Sequence, residues 1–324
     1  MQIKEIGGEF ALIDRLRRLI PGRCPGLIVG IGDDAAVLET ADEACYQLVT
    51  ADLLVENQHF SFTWCGPEAV GFKAVEANVS DIAAMGGEPG AMVVGLALPP
   101  ETPVETAEAL YRGMGRSCRR NRVTVVGGDT TRGEVITVSI TLMGKVAADR
   151  LCLRSHARVG DLIGVTGTLG GSATGLALLQ RNLPVSRDLR RKHLVPECRL
   201  DAAPLLAPLV NAMIDVSDGL APEVGHICDR SGVGARIAAD QIPLHPGVAA
   251  AAAALGRDPL GFALGGGEDY ELLFTLAPRN LERLRRSGLN FTVVGEIVPA
   301  PAGRLLVIAG GVSVPLQGGF NHFD

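Results

Sequence analysis

Acidic residues in this chain collect where apolar runs meet glycine-rich turns. "GIGDDAAVL" carries Asp33 and Asp34, "LVTADLL" carries Asp52, "NVSDIAAMGG" carries Asp81 and "VVGGDTTRG" carries Asp129. Further on, "AMIDVSDGL" supplies Asp215 and Asp218, and "LGGGEDYELLF" supplies Glu268, Asp269 and Glu271. An aspartate after a strand is by itself an ordinary helix cap or turn former, and Asp218 in "SDGL" and Asp129 in "GGDTT" fit that description. Asp81 does not. Read as a helix, positions 70, 74, 77, 81 and 84 share one face, and the other four are Val70, Ala74, Ala77 and Ala84. A carboxylate in such a stripe is costly unless a cation pairs with it. Asp215 stands in a similar position, directly after the apolar "AMI".

Few basic residues adjoin these motifs. Arg132 and Lys73 are near, but most arginines fall in polar segments, 15–18, 116–122 and 187–192, that read as solvated helix faces. Many carboxylates with little local positive charge point to divalent ions, and oxygen-only ligands favour Mg²⁺, Mn²⁺ or Ca²⁺ over zinc. "DDAAV" lacks the regular spacing of an EF-hand loop. Ligands so far apart in sequence suit Mg²⁺ held by a few carboxylates and completed by substrate phosphates. The glycine-rich turns can offer backbone N–H groups to phosphate, but none is a P-loop: the one Gly-Lys pair, Gly144-Lys145, lies in a strand-like run. "GIGDDAA" imitates a dinucleotide-binding turn, with two aspartates where pyrophosphate would approach, and "GVTGTLGGSATG" has irregular spacing. No nucleophile triad and no H-x-x-x-H pair occurs. The residues alone describe a Mg²⁺-dependent enzyme acting on phosphates. A non-catalytic Ca²⁺- or nucleotide-binding module, and a dehydrogenase resting on residues 164–175, remain as alternatives.

These acids must be gathered by a fold. The 324 residues suffice for two domains, and 47% hydrophobic with 20% charged residues suits a sizeable core. Aromatics are only 4% and glycines number 41, so the core is aliphatic and the turns are tight. A net charge of −6 argues against a nucleic-acid surface. No long apolar run predicts a membrane span, the N-terminus lacks a signal-peptide core, and seven dispersed cysteines read as reduced cytoplasmic thiols. Segments 27–31, 46–51, 91–98, 123–128 and 134–146 predict strands, with helices over 67–86 and 103–121 between them. A polar break at 147–160 predicts a boundary near 148, giving domains 1–148 and 149–324. Beyond it, strands are predicted at 161–167, 235–238, 271–276, 291–297 and 304–309. Helices are predicted at 172–181, 199–210 and 219–231.

Together with "GEFALIDRL", "NQHF", "TGTLGGSATGLALL" and the tail "GGFNHF", and in this order over residues 8–323, the acidic motifs resemble those of the thiamine-monophosphate kinases. These are members of the aminoimidazole ribonucleotide synthetase-like superfamily. The resemblance implies a two-domain α/β (α+β) fold whose N-terminal domain dimerises through its sheet. It also implies ATP-dependent phosphorylation of thiamine monophosphate to thiamine diphosphate. Asp34, Thr50, Asp52, Asp81, Asp129, Asp215 and Asp218 would hold several Mg²⁺ ions around the ATP phosphates. Tyr111, Gly128, Asp129, Arg154 and Ser217 would meet the nucleotide, and His59, Glu268 and Phe320 would face thiamine monophosphate. Asp33 is left a structural role. Two departures stand out: the family often has Ser-Thr-Asp where this chain has Thr50-Ala51-Asp52, and Trp or Tyr where Phe320 stands. The attacking group is itself a phosphate, largely ionised because its second pKa is about 6, so no general base is expected. Of the superfamily's other enzymes, the hydrogenase-maturation dehydratase needs a C-terminal cysteine, whereas the last one here is Cys228. Selenophosphate synthetase needs a reactive N-terminal loop, which Cys24 in "GRCPG" fits poorly.

Overall fold

The computed structural model describes residues 9–20 and 24–319. The first part of the chain runs α1 (Glu9–Arg17), β1 (Leu27–Val29), β2 (Ala36–Glu39), β3 (Cys45–Val55), α2 (Pro67–Ala84), β4 (Glu88–Leu98), α3 (Val104–Asn121), β5 (Thr124–Arg132) and β6 (Thr137–Ala147). Its six strands form one sheet in the order β1-β2-β3-β6-β4-β5. All neighbours are antiparallel except β4 and β5, which α3 joins as a parallel crossover. Along β6 residues alternate between fully and partly buried, as expected of a sheet with one face against helices.

After the break the chain runs β7 (Leu162–Thr166), α4 (Gly171–Gln180), α5 (Arg187–Leu194), α6 (Ala203–Leu206), β8 (Ala212–Asp215), α7 (Leu220–Ser231), β9 (Val233–Ala238), α8 (Val248–Leu255), α9 (Pro259–Gly265), β10 (Leu272–Leu276), α10 (Leu281–Arg286), β11 (Phe291–Pro299), β12 (Arg304–Val307) and β13 (Ser313–Pro315). A second sheet of seven strands has the order β13-β12-β9-β11-β7-β10-β8. The passage between the sheets, from Ala147 to Leu162, holds two short 3₁₀ turns, the second at Arg154–His156.

Two expectations are corrected, and one strand went unread. The helix over 199–210 shrinks to α6, because Pro204 fits only its first turn and Pro208 stops it. The unread strand is "AMID", β8, too short to show a period. The helix carrying Asp81 has no single apolar stripe. From Val70 to Ala84 every residue of α2 except Asp81 is buried, including Lys73, Glu76, Asn78 and Ser80.

That burial follows from where α2 sits. It packs on β3 and β6 of the first sheet, on α3, and on β8 at the edge of the second sheet. Contact with α3 is made through glycines: a Cβ on Gly71 would lie 1.9 Å from the Leu110 carbonyl oxygen, and one on Gly113 equally close to that of Glu68. β8 is buried at all four positions although it ends its sheet, because α2 covers it. One helix is therefore shared by both halves of the molecule.

Candidate active site

Asp81 is the one residue of that buried stretch left partly open, and it faces carboxylates from two other elements. Asp34 comes from the turn after β1, and Asp215 from the last position of β8. Carboxylate oxygens of Asp34, Asp81 and Asp215 all lie within 4.8 Å of one another. Each is held by a neighbour. Thr50 Oγ1, on β3, donates to Asp81 Oδ2 at 2.5 Å. Ser80 Oγ, on α2, donates to Asp215 Oδ2 at 2.6 Å. Arg154, in the 3₁₀ turn between the sheets, forks onto Asp34, with Nη2 to Oδ1 at 2.6 Å and Nε to Oδ2 at 3.3 Å. Its backbone N–H donates to Asp33 Oδ2 at 3.2 Å. Thus Asp33 fixes Arg154, and Arg154 fixes Asp34.

The charge balance of the cluster is far from neutral. Burial, followed by the Asp34 charge, pushes the Asp33 carboxyl up to about 7 and Asp215 up to about 8. Burial and the Asp218 charge bring Asp52 up to about 6. Asp81 is held well above the carboxylate range by burial and by Asp52, Asp215 and Asp34. Glu223, buried on α7, is raised by burial and by Asp218 and Asp215. Among the described residues, no lysine or arginine forms an ion pair with Asp81 or Asp215. Buried carboxylates with oxygen-only neighbours and so little compensating charge fit a divalent ion of the Mg²⁺ kind.

Glu268 lies beside this cluster. The buried phenol of Tyr270 feels Glu268, Asp52, Asp215 and Asp81 together. Backbone bonds fasten the two acidic loops to each other: Glu268 N–H donates to the Ser217 carbonyl at 2.7 Å and Tyr270 N–H to that of Val216 at 2.9 Å. Glu268 and Tyr270 have φ of 63° and 49°, left-handed values that cost a non-glycine residue about 1–2 kcal/mol each. The other acids of "GGGEDYELLF" are structural. Asp269 accepts from the N–H groups of Gly170 (2.6 Å) and Ser172 (3.2 Å) at the start of α4. Glu271 accepts from Thr166 Oγ1 at 2.8 Å and pairs with Lys192 and Arg199.

The remaining predicted residues are dispersed. Asp218 and Ser217 sit in the loop before α7, where Glu223 Oε1 accepts from the Asp218 N–H (2.9 Å) and the Ser217 hydroxyl (3.4 Å). His59 follows β3, and its Nδ1 accepts from the Val55 N–H at 3.1 Å, which leaves Nε2 as the donor. Gly128 and Asp129 lie on β5, an edge strand exposed along its whole length. Tyr111 lies on the outer side of α3, in an open groove of about 670 Å³ shared with Glu68, Arg112 and Arg116. Its neighbour Leu110 contacts α2 at Gly71, ten residues from Asp81, or about 15 Å along the helix. Neither Asp129 nor Tyr111 joins the acidic cluster within this chain. Phe320 falls outside the described residues.

Sequence reasoning missed Lys73, Ser80, His193, Glu223 and Tyr270, and it assigned Arg154 only to phosphate. Two of these could have been found. Ser80 and Lys73 share a helix with Asp81, and the apolar residues on every side of that helix, Val70, Phe72, Val75, Val79 and Ile82 among them, signal burial all round.

The description of AIR synthase related protein matches the chain in two parts, its N-terminal domain over residues 32–146 and its C-terminal domain over 158–308. The thiamine-monophosphate kinase of Aquifex aeolicus (strain VF5) is 38% identical over 279 residues, 85% of this chain and 87% of that protein. Its counterpart in Mycobacterium tuberculosis (strain ATCC 25618 / H37Rv) is 41% identical over 273 residues, 82% of this chain and 80% of the other. Among solved structures, AaThiL complexed with AMPPCP and TMP matches with a TM-score of 0.88 at 35% identity, covering 99% of both chains. The hydrogenase maturation protein HypE, at 19% identity and a TM-score of 0.71 over 91% of this chain and 95% of the other, shares the fold alone.

Proposed function

The chain belongs to the thiamine-monophosphate kinases within the AIR synthase related proteins, and from that membership we infer how its acidic cluster serves the reaction. The enzyme phosphorylates thiamine monophosphate with ATP, giving thiamine diphosphate. The observation that carries the site assignment is the convergence of Asp34, Asp81 and Asp215, from three elements and both sheets, on one point.

We propose that these three carboxylates, with Asp52 and Asp218 beside them, hold Mg²⁺. Bound there, Mg²⁺ would supply the positive charge that two approaching phosphate groups need, and would help keep them in line. The protein's own groups do the rest. Thr50 and Ser80 orient Asp81 and Asp215 by hydrogen bonds, and Asp33 and Arg154 together orient Asp34. With Nε and Nη2 closed on Asp34, Arg154 would meet an ATP phosphate through Nη1, which makes no hydrogen bond among the described residues. The acceptor's phosphate oxygen attacks as an anion, so no side chain has to remove a proton. Glu268 and His59, through Nε2, are the contacts this reading assigns to thiamine monophosphate.

Gly128, Asp129 and Tyr111 stand apart from the cluster within one chain. Two chains pairing through the first sheet would bury β5, whose Val125 and Val126 are 38% and 58% exposed. Such an edge invites a partner strand, and on this reading Gly128 and Asp129 would serve a nucleotide site completed in the dimer. Seven free thiols support a reducing, cytoplasmic setting.

The test is direct. Purified protein is incubated with Mg²⁺-ATP and either thiamine monophosphate or free thiamine, and thiamine diphosphate is followed by fluorescence after oxidation. Product from the monophosphate alone is expected. Folded protein that binds ATP but makes no product from it would move the acceptor to another member of the superfamily.

A further inference from the structure

Glu268 is held in an unusual way. One carboxylate oxygen, Oε2, takes both Lys73 Nζ at 2.7 Å and His193 Nδ1 at 3.2 Å. The other, Oε1, makes no hydrogen bond among the described residues, and the side chain is 26% exposed. Its two partners are almost fully enclosed, Lys73 at 4% and His193 at 1% exposure. The partners are themselves anchored. Lys73 belongs to α2, buried between the two halves. His193 lies near Ser172 Oγ (3.1 Å) and tilts against the Trp64 ring at 5.3 Å. Just after it, the Cys198 N–H donates to Glu76 Oε2 on α2 at 2.9 Å. The left-handed backbone at Glu268 adds a further constraint on where its side chain points.

We propose that Lys73 and His193 are positioning residues for acceptor recognition: they pin Oε2 of Glu268 so that Oε1 is presented as the hydrogen-bond acceptor for an amino-substituted cationic heterocycle. The inference rests on the reading of Glu268 as a contact for thiamine monophosphate. Its chemistry is simple. A carboxylate free at both oxygens would rotate between orientations and offer no fixed acceptor. One fixed at Oε2 offers a directed acceptor and a negative charge, which match an exocyclic amine and a nearby positive ring. Burial and the Lys73 charge keep the His193 ring neutral, so it donates through Nδ1 without cancelling that charge. Burial alone would raise the Glu268 carboxyl, but Lys73 and His193 bring it down to about 2, so it is ionised whenever the enzyme works.

A purely structural salt bridge between the halves predicts something different, and kinetics separates the two. The variants are Lys73→Met, His193→Leu, His193→Asn, Glu268→Gln and the double variant Lys73→Met/Glu268→Gln. Substrates are thiamine monophosphate and its analogue with a carbonyl in place of the pyrimidine amine. Positioning predicts that KM for thiamine monophosphate rises about tenfold or more in Lys73→Met and His193→Leu. KM for ATP stays within about twofold, and His193→Asn, whose amide can replace the Nδ1 donor, recovers most of the loss. Discrimination against the carbonyl analogue shrinks in step. Adding Lys73→Met to Glu268→Gln raises KM no further, since both act through one carboxylate. Unchanged acceptor KM, equal changes in both substrates' KM, or multiplying effects in the double variant would each overturn the proposal. Should Lys73→Met fail to fold, the two His193 variants carry the same comparison. Wild-type protein inactive on thiamine monophosphate would instead fail the kinase reading, independently of the variants.

Discussion

At the residue scale the structure is a set of buried acids under strain from one another. Their effect on stability has a definite sign. Asp33 and Asp215 ionise near 3.8 when unfolded but only at about 7 and about 8 when folded. The folded state therefore binds more protons between these values, and stability falls as pH rises through that window. Glu268, lowered to about 2, contributes a stabilising ion pair that is fully present well below neutrality. His193, His226 and His245, all lowered by burial, are neutral in the folded state and largely so in the unfolded state above pH 7. Between pH 7 and 8 the acids dominate the slope. Metal-free protein should show a melting temperature that drops across that interval, and added Mg²⁺ should abolish the drop. A melting temperature that is flat without Mg²⁺, or shifted equally by Mg²⁺ at pH 5.5 and 8, would contradict this account of the cluster.

At the element scale α2 is decisive, since it packs on the first sheet, on α3 and on β8 at once. Its contact with α3 leaves no room for a side chain at Gly71. Gly71→Ala should cost about 1–3 kcal/mol by forcing the helices apart, read as a lower denaturation midpoint. An unchanged midpoint would mean that the crossing is looser than the structure has it. Asp81 was legible in sequence because its helical neighbours at 70, 74, 77 and 84 are small and apolar, and the long strands and α3 were legible from their periods. What lay hidden was long-range. Arg154 meets Asp34 across 120 residues, and Lys73 meets Glu268 across 195. No local pattern encodes such pairs, so Arg154 entered only through the family resemblance, as a phosphate contact, and His193 fell beside a run read as a solvated face. β8 escaped notice because three apolar residues and an aspartate are too few to show a period. The burial of Lys73, Glu76, Asn78 and Ser80 depends on a second sheet that α2 alone cannot announce.

At the scale of the whole molecule, both halves contribute to one site. Asp34, Thr50 and Asp81 come with the first sheet and its helix, Asp215 and Glu268 with the second sheet, and Arg154 from the passage between them. Pairing of two chains through β5 would extend that assembly. Val126→Lys, which puts a charge on the exposed edge, should yield monomers by light scattering and weaken ATP use more than folding. Dimers that persist in that variant would place the interface elsewhere. The central claim is that carboxylates from both halves form a Mg²⁺ site for phosphoryl transfer. Its most direct test is thiamine diphosphate formation as a function of Mg²⁺ concentration, in wild type and Asp81→Asn. The account predicts that the variant needs at least the roughly 10–100-fold more Mg²⁺ that loss of a supporting partner costs a metal site, with lower turnover at saturation. Full turnover by Asp81→Asn at the wild-type Mg²⁺ concentration would contradict it.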